Sequence, residues 1–219
     1  QGADVIATVD DDNIPYENWG EDLLIGKTIE MDLYESSTEV FDPLCVTNYP
    51  ELWHRGFPIQ QVPHRKETRY VGKEERKVLI QADLWDGDPD IDAMARMSMS
   101  PCVKFNVQKP YGSYSMSPFN SQNTFLAREV IPHYAVLPHV GRMDDIWGGY
   151  IAQMRFPQSL VYNKASVYQD RNVQDLVTNL EKEIVGYRYT QTLVANLNAW
   201  QAYVPEETIE FYKAYRRCF

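Results

Sequence analysis

An acidic triplet at the end of an apolar run constrains this chain more than any other stretch. Val5 to Val9 is short, rich in β-branched residues and closed by Asp10-Asp11-Asp12-Asn13. That is the pattern of a buried strand that stops abruptly. At the carboxyl edge of an open α/β sheet, this is where ligands bind. Side chains alternate along an extended backbone, so the spacing predicts Asp10 and Asp12 on one side and Asp11 on the other. Two like charges so close repel one another unless a cation sits between them, and a hard divalent ion with oxygen ligands suits that place. Read in isolation, the same residues make an acidic turn, with Asn13 and Pro15 supplying the turn chemistry.

A second run, Val78 to Trp85, also reads as a buried strand, and it too ends in acid, at Asp86-Gly87-Asp88-Pro89-Asp90-Ile91-Asp92. Between the two, Asp22 to Leu33 carries the apolar alternation of strands, Val40 to Tyr49 reads as loop, and the charged stretch His64 to Lys77 as solvated chain. Beyond them the pattern predicts a short helix over Ala93 to Met99, a strand over Cys102 to Val107, a short helix over Thr124 to Val130 and a strand over Tyr134 to Leu137. Asp144-Asp145 opens a helix whose apolar residues, Ile146, Trp147, Tyr150, Ile151 and Met154, recur at helical spacing. The tail reads as helical, with one stripe formed by Val173, Leu176, Val177, Leu180 and Ile184, and a last helix opened by Pro205. Strands alternating with helices point to an α/β fold, a mixed sheet flanked by helices. The division this implies is a core over residues 1–160 and a helical carboxyl-terminal extension over 161–219 packed on it.

A formal net charge of -10 over 219 residues argues against the phosphate backbone of nucleic acid as partner. It does not argue against a phosphorylated small molecule, because a divalent cation supplies positive charge locally. Cys45, Cys102 and Cys218 form neither a zinc pattern nor a disulfide framework. No apolar run is long enough to span a bilayer and no signal peptide is visible. Membrane association is therefore not visible in these residues, and a cytoplasmic or a Golgi-facing location is compatible with them. Gln1-Gly2-Ala3-Asp4 reads as the end of a helix feeding the first strand, as if the sequence began inside a domain.

Several residues have chemistry to offer. Arg55, in Arg-Gly-Phe-Pro, sits where Gly56 permits close backbone approach and Pro58 stiffens the exit. Its guanidinium suits a diphosphate, or else stacks on Trp53 or Phe57. Asp88, Asp90 and Asp92 alternate after the second strand, suited to binding hydroxyls, or in the case of Asp92 to capping the next helix. Pro118 to Asn123 offers the carboxamides of Asn120 and Gln122, which donate and accept together as sugar hydroxyls require. Asp144 and Asp145 lie at a helix N-terminus, where the macrodipole favours the ionised form. An ionised carboxylate there can accept a proton from an attacking hydroxyl, although the pair read alone is a plain N-cap. Gly148-Gly149 in a first helical turn costs roughly 1 kcal/mol per residue against alanine, so a sugar or a crossing backbone is expected beside it. The four histidines show no ligand spacing.

Together these motifs are familiar. The acidic triplet after a strand resembles the metal and nucleotide-sugar motif of GT-A glycosyltransferases. Arg-Gly-Phe-Pro at 55–58, Gly-Asp-Pro-Asp-Ile-Asp-Ala at 87–93, Pro-Phe-Asn-Ser-Gln-Asn-Thr at 118–124 and Asp-Ile-Trp-Gly-Gly-Tyr at 145–150 resemble the STELLO-type glycosyltransferases. The resemblance implies a Rossmann-like GT-A fold and transfer of a sugar from a nucleotide-diphosphate sugar, UDP-linked, to a carbohydrate or other hydroxyl acceptor. It implies Mn²⁺ or Mg²⁺ held by Asp12 and Asp10, and catalysis by Asp145, Asp144 and Arg55. Substrate contacts are then expected from Asp10, Asp11, Trp85, Asp88, Asp90, Asn120, Gln122, Trp147 and Gly148. That family tends to carry an arginine where this chain has Gly148. Arg55, the Leu84-Trp85 pair with Pro89 to Ala93, and Asp144 to Gly149 also resemble the UDP-arabinopyranose mutases, in which the arginine matching Arg55 becomes glycosylated. The run at 118–123 fits the mutases less well, which ranks transferase first. Both families place a nucleotide-binding βαβ region ahead of the acidic triplet, so the N-terminal part of the nucleotide-binding half is expected to be missing here. A non-catalytic sugar-binding or scaffolding protein on the same fold is the third possibility.

Overall fold

The computed structural model describes residues 2–219. In chain order the regular elements are β1 (Val5–Val9), β2 (Asn13–Pro15), β3 (Thr28–Glu35), β4 (Arg69–Lys77), β5 (Ile80–Gly87), α1 (Ala93–Ser98), β6 (Tyr111–Ser113), β7 (Asn123–Ala127), α2 (Asp144–Arg155), β8 (Leu160–Gln169), α3 (Leu176–Ala195) and α4 (Glu206–Arg216). One open mixed sheet holds the strands in the order β1-β7-β5-β8-β6-β3-β4, with β2 paired to β8. β5 and β8 are parallel, as are β3 and β6, and the other neighbours run antiparallel. The α/β architecture, a mixed sheet flanked by helices, is the one the sequence pattern predicts.

β5 is buried along its whole length, as a strand covered on both faces should be. β1 is not. It pairs only with β7, at the sheet edge, and Ile6 and Val9 are 39% and 42% exposed. The acidic triplet is likewise not an extension of the strand. Asn13 N–H donates to Asp10 C=O at 3.2 Å, closing a tight turn, so side-chain alternation ends at Val9. Buried Asn13 fixes that turn by donating from Nδ2 to Gln122 C=O at 2.8 Å. Gln1 lies outside the described residues, and Gly2 to Asp4 are not helical.

Five further expectations change. The charged stretch before Val78 is not free chain but β4, an edge strand paired with β3 through contacts such as Lys73 Nζ to Glu30 Oε1 at 2.8 Å. Charged side chains on an edge discourage pairing with other molecules. Residues 124–130, expected helical, begin in β7, whose five residues are all buried between β1 and β5. Cys102 to Val107 contributes one isolated bridge, Val103 to Gly87, and Tyr134 to Leu137 forms no regular element. β8 runs from Leu160 down the middle of the sheet, so the helical part starts at Leu176 rather than at 161.

The helices pack on the sheet through α2, which buries nine residues from Asp145 to Gln153. Trp147 is wholly buried against α3 and donates its indole N–H to Thr190 Oγ1 at 3.0 Å. α3 turns its small and polar face inward: Glu183, Gly186, Thr190 and Leu193 are buried, while Val173, Val177 and Ile184 of the expected stripe are exposed. The reason is tertiary. Glu183 accepts from Arg142 Nε, Ala93 N and Tyr187 Oη, each at 2.8 Å, tying α3 to α1 and to the turn before α2.

Gly148 answers to a crossing backbone and Gly149 to an aromatic ring. A Cβ on Gly148 would lie 2.0 Å from Ala135 O, and one on Gly149 would lie 2.9 Å from the Phe119 ring. Gly148→Ala gains about 1 kcal/mol of helix propensity but forces the 134–137 segment off α2, for a net loss of about 1–3 kcal/mol. Urea denaturation measures it, and an unchanged midpoint would contradict this packing.

Candidate functional site

β1 and β5 both run antiparallel to β7, and β8 runs parallel to β5, so the carboxyl ends of β1, β5 and β8 share one edge. That edge releases Asp10 after β1, Asp88 to Asp92 after β5 and Arg171 after β8. The antiparallel β7 brings Asn120 to Gln122 to the same place. The N-terminus of α2 and the Arg55 loop complete the ring. Between them lies an open cavity of about 580 Å³ whose wall includes Asp10, Arg55, Asp90, Ser121, Asp144 and Asp145. Ligands bind outside the carboxyl ends of strands in sheets of this kind.

Arg55 is the centre. Gly56, at φ +80°, lets its loop lie on α2, where a Cβ would meet Ile146 Cγ2 at 2.3 Å. Arg55 Nε donates to both oxygens of Asp90, at 3.0 and 2.9 Å, and its two terminal nitrogens donate to Asp145 Oδ1 and Oδ2 at 3.1 Å each. Arg142 C=O takes another N–H. With four of its five N–H groups engaged, the guanidinium cannot also grip a diphosphate with a free fork. Burial draws its pKa down, and the carboxylates of Asp145 and Asp90 more than reverse this, holding it well above the usual arginine value.

The carboxylates divide by environment. Burial alone would raise Asp90, but Arg55 and then Arg171 hold it far below the ordinary aspartate range, and Asn120 Nδ2 adds a hydrogen bond at 2.7 Å. Asp145 has its oxygens occupied: besides Arg55, Oδ2 accepts from Ser121 N at 3.0 Å and Oδ1 from Ile146 N at 2.8 Å. Asp144 differs. Partial burial and the neighbouring Asp145 charge push it up to about 6. Asp10 is pushed to about 6 as well, by desolvation of its carboxyl group, then by Asp90 and Asp145. The residue as a whole is exposed; it is the carboxyl end that faces the cavity.

Five expected site residues, Asp10, Arg55, Asp90, Asp144 and Asp145, therefore meet in one cavity wall. Asn120 stands behind Asp90, and Gln122 holds the β1–β2 turn, donating to Asn13 Oδ1 at 3.4 Å. Asp88 pairs with Arg96 at 2.5 Å beside a neighbouring cavity, and Asp92 caps α1 by accepting from Ala95 N at 2.8 Å. Asp11 lies exposed in the turn. Trp85 packs edge-on to His54 and Phe105 in the core, Trp147 is core, and Gly148 is covered by Ala135, so none of these three reaches the cavity wall. Arg142, Arg171 and Lys182 do reach it. No sequence pattern marks them: each is a single basic residue whose position depends on β8 and on the polar face of α3.

Among the described residues no three or more His, Cys, Asp or Glu side chains are grouped to hold a metal ion. Asp12 does not face Asp10's neighbours; its oxygens accept from Gln169 Nε2 at 3.4 Å and Asn172 N at 3.5 Å, at the end of β8. Asp10, crowded by Asp90 and Asp145, has the charge environment that a cation relieves, provided that phosphate oxygens complete the shell.

Among the described residues no helix is long and apolar enough to cross a membrane. No protein-family model matches the chain, and no curated protein is detectably similar to it.

Proposed function

We propose that this chain carries the catalytic portion of a metal-dependent glycosyltransferase of GT-A type, acting on a nucleotide-diphosphate sugar and a hydroxyl acceptor. The observation that carries the reading is the Asp90–Arg55–Asp145 constellation under an open cavity at the carboxyl edge of β1, β5 and β8. The cavity falls within the range of small-molecule sites, roughly 300–1,000 Å³, and mixes fixed charges of both signs. When bound at Asp10 with the diphosphate, Mn²⁺ or Mg²⁺ offsets the charge of the leaving group.

The remaining chemistry falls to protein groups. The acceptor hydroxyl oxygen forms a bond to the anomeric carbon as the bond to the diphosphate oxygen breaks, and the hydroxyl proton needs a base. Asp145 has no free lone pair facing the cavity, so its role is to fix Arg55. Asp144, ionised above about pH 6 and in the same wall, takes the proton. Arg55, its charge matched by Asp90 and Asp145, holds the constellation in place rather than gripping the phosphates, and Arg142, Arg171 and Lys182 are the other positive groups in the wall.

Calorimetry with UDP and UDP-sugars, with and without Mn²⁺, tests the reading. Metal-dependent binding by the wild-type chain is expected, weakened at least tenfold in Asp10→Asn, roughly the worth of one charged ligand. No metal-dependent binding of any nucleotide diphosphate would sink it.

A further inference from the structure

Once the fixed pairs of the cavity are set aside, its wall keeps few cations with donors to spare. Arg55 is engaged by Asp90, Asp145 and the Arg142 carbonyl. Arg171 turns Nε and Nη2 inward, buried and 3.6 Å from Asp88 and Asp90, so it presents no open fork. Arg142 is different. Its Nε donates to Glu183 Oε1 at 2.8 Å, and among the described residues Nη1 and Nη2 have no hydrogen-bond partner. Neither is enclosed. The side chain is 25% exposed in the cavity wall, and Nη2 lies 3.9 Å from Asp90 Oδ1, beyond hydrogen-bond reach.

The surroundings fix that fork before any ligand arrives. Gly141, at φ +63°, lets the turn before α2 lie directly on α3, where a Cβ would meet Lys182 O at 2.1 Å. The Arg142 carbonyl accepts from Arg55. Glu183 is buried and is itself held by Ala93 N and Tyr187 Oη, each at 2.8 Å, so it cannot swing with its partner. Backbone and Nε are thus held from three sides while the terminal nitrogens are left over. A planar fork held in this way meets two oxygens at little entropic cost. Lys182, the residue before Glu183, is exposed in the same wall and makes no ion pair among the described residues.

An open guanidinium fork and an unpaired ammonium in one wall suit an anion with several oxygens. A lone carboxylate fills the fork and leaves Lys182 idle, whereas a diphosphate has charge for both. The rest of the wall sets a condition. Asp10, Asp90, Asp144 and Asp145 bring negative charge, so the anion binds together with a divalent cation rather than alone. We infer that Arg142 and Lys182 grip the diphosphate of the nucleotide-sugar donor in this cavity, with Glu183 as the positioning residue of Arg142. The diphosphate contact expected of Arg55 passes to Arg142. The inference rests on the glycosyl-transfer reading and deepens it by assigning the donor phosphates to side chains that no sequence motif marks.

Calorimetry of the full chain with UDP and with inorganic pyrophosphate, each with Mn²⁺, tests it. Arg142→Met should weaken UDP binding about 10- to 100-fold, the worth of a charge-assisted hydrogen bond or two. That substitution also strips buried Glu183 of its counter-charge, so two milder variants carry the decision. Arg142→Lys keeps a charge for Glu183 but has no fork, and should cost about tenfold in UDP affinity. Lys182→Met, at an exposed position, should cost about threefold to tenfold without touching the fold. Methyl glucuronide, which offers a carboxylate alone, should not compete with UDP. Unchanged UDP affinity in either milder variant, or glucuronide competition that Arg142→Lys abolishes, overturns the inference and leaves the transferase reading standing. Pyrophosphate binding that falls in Arg142→Lys, with no binding of UDP to the wild-type chain, supports the anion subsite and removes the transferase.

Discussion

Replacing Arg55 with methionine is expected to destabilise the protein by about 3–5 kcal/mol, because it leaves buried Asp145 without its ion-pair partner and Asp90 with only the more distant Arg171 and Arg142, at 3.6 and 3.9 Å. Asp90 and Asp145 are 2% and 5% exposed and share this one guanidinium, so neither has water to fall back on. Arg55→Lys should recover part of the loss, since one ammonium keeps the charge but cannot serve both carboxylates and the Arg142 carbonyl together. Chemical denaturation of the three proteins measures this. A loss below 1 kcal/mol in Arg55→Met would show that the constellation is loosely held and its carboxylates hydrated. The same geometry bears on the mutase alternative. An arginine becomes a nucleophile only when deprotonated, and here two carboxylates push the proton affinity up. Incubation with labelled UDP-sugars should therefore leave no hexose or pentose on the Arg55 peptide. A stable adduct that vanishes in Arg55→Ala would restore the mutase reading.

The parts of this site that are legible in sequence share a local signal. The buried strand β5 is a continuous apolar run, the Arg55 loop is marked by Gly56 and Pro58, and the start of α2 is marked by paired acids before a helical period. What resists local reading depends on partners distant in the chain. Asn123 to Ala127 lacks clean alternation because both of its faces are covered, so it passes for a short helix, yet β1 and β5 supply its hydrogen bonds. α3 misleads in a different way. Three of the five residues of the expected stripe, Val173, Val177 and Ile184, are exposed, because Glu183, Gly186 and Thr190 are the residues that fit Arg142, Met143 and Trp147. Glu183 is a buried carboxylate on an otherwise ordinary helix, and only the position of Arg142 gives it meaning. The acidic triplet shows the limit most clearly. Its carboxylates are where the sequence places them along the chain, but a turn, rather than a strand, sends Asp10 to the cavity and Asp12 to β8.

Asp144 and Asp145, adjacent in sequence, are expected to fail in opposite ways when neutralised. Asp144→Asn should lower turnover by about 10² to 10⁴, the usual contribution of a positioned base, with donor affinity retained. The sign of the pH dependence follows from its raised pKa. A base works ionised, so activity should be high above pH 6 and fall as the pH drops through about 6, where Asp144 takes up its proton. An aspartate at its ordinary value of about 3.9 would hold activity to far lower pH. Asp144→Asn should lower the rate and remove the part of the acid limb that Asp144 sets, leaving the part set by donor binding at Asp10, also pushed to about 6. Asp145→Asn instead removes a charge from beside Arg55 and should chiefly reduce stability. It also removes the second largest cause of the Asp144 shift, after burial, and frees Arg55 to lower Asp144 further, so the surviving activity should extend to more acid pH. Steady-state kinetics of both variants between pH 4 and pH 8 reads all of this. Full activity in Asp144→Asn, or an acid limb that neither substitution moves, would place the base on another residue.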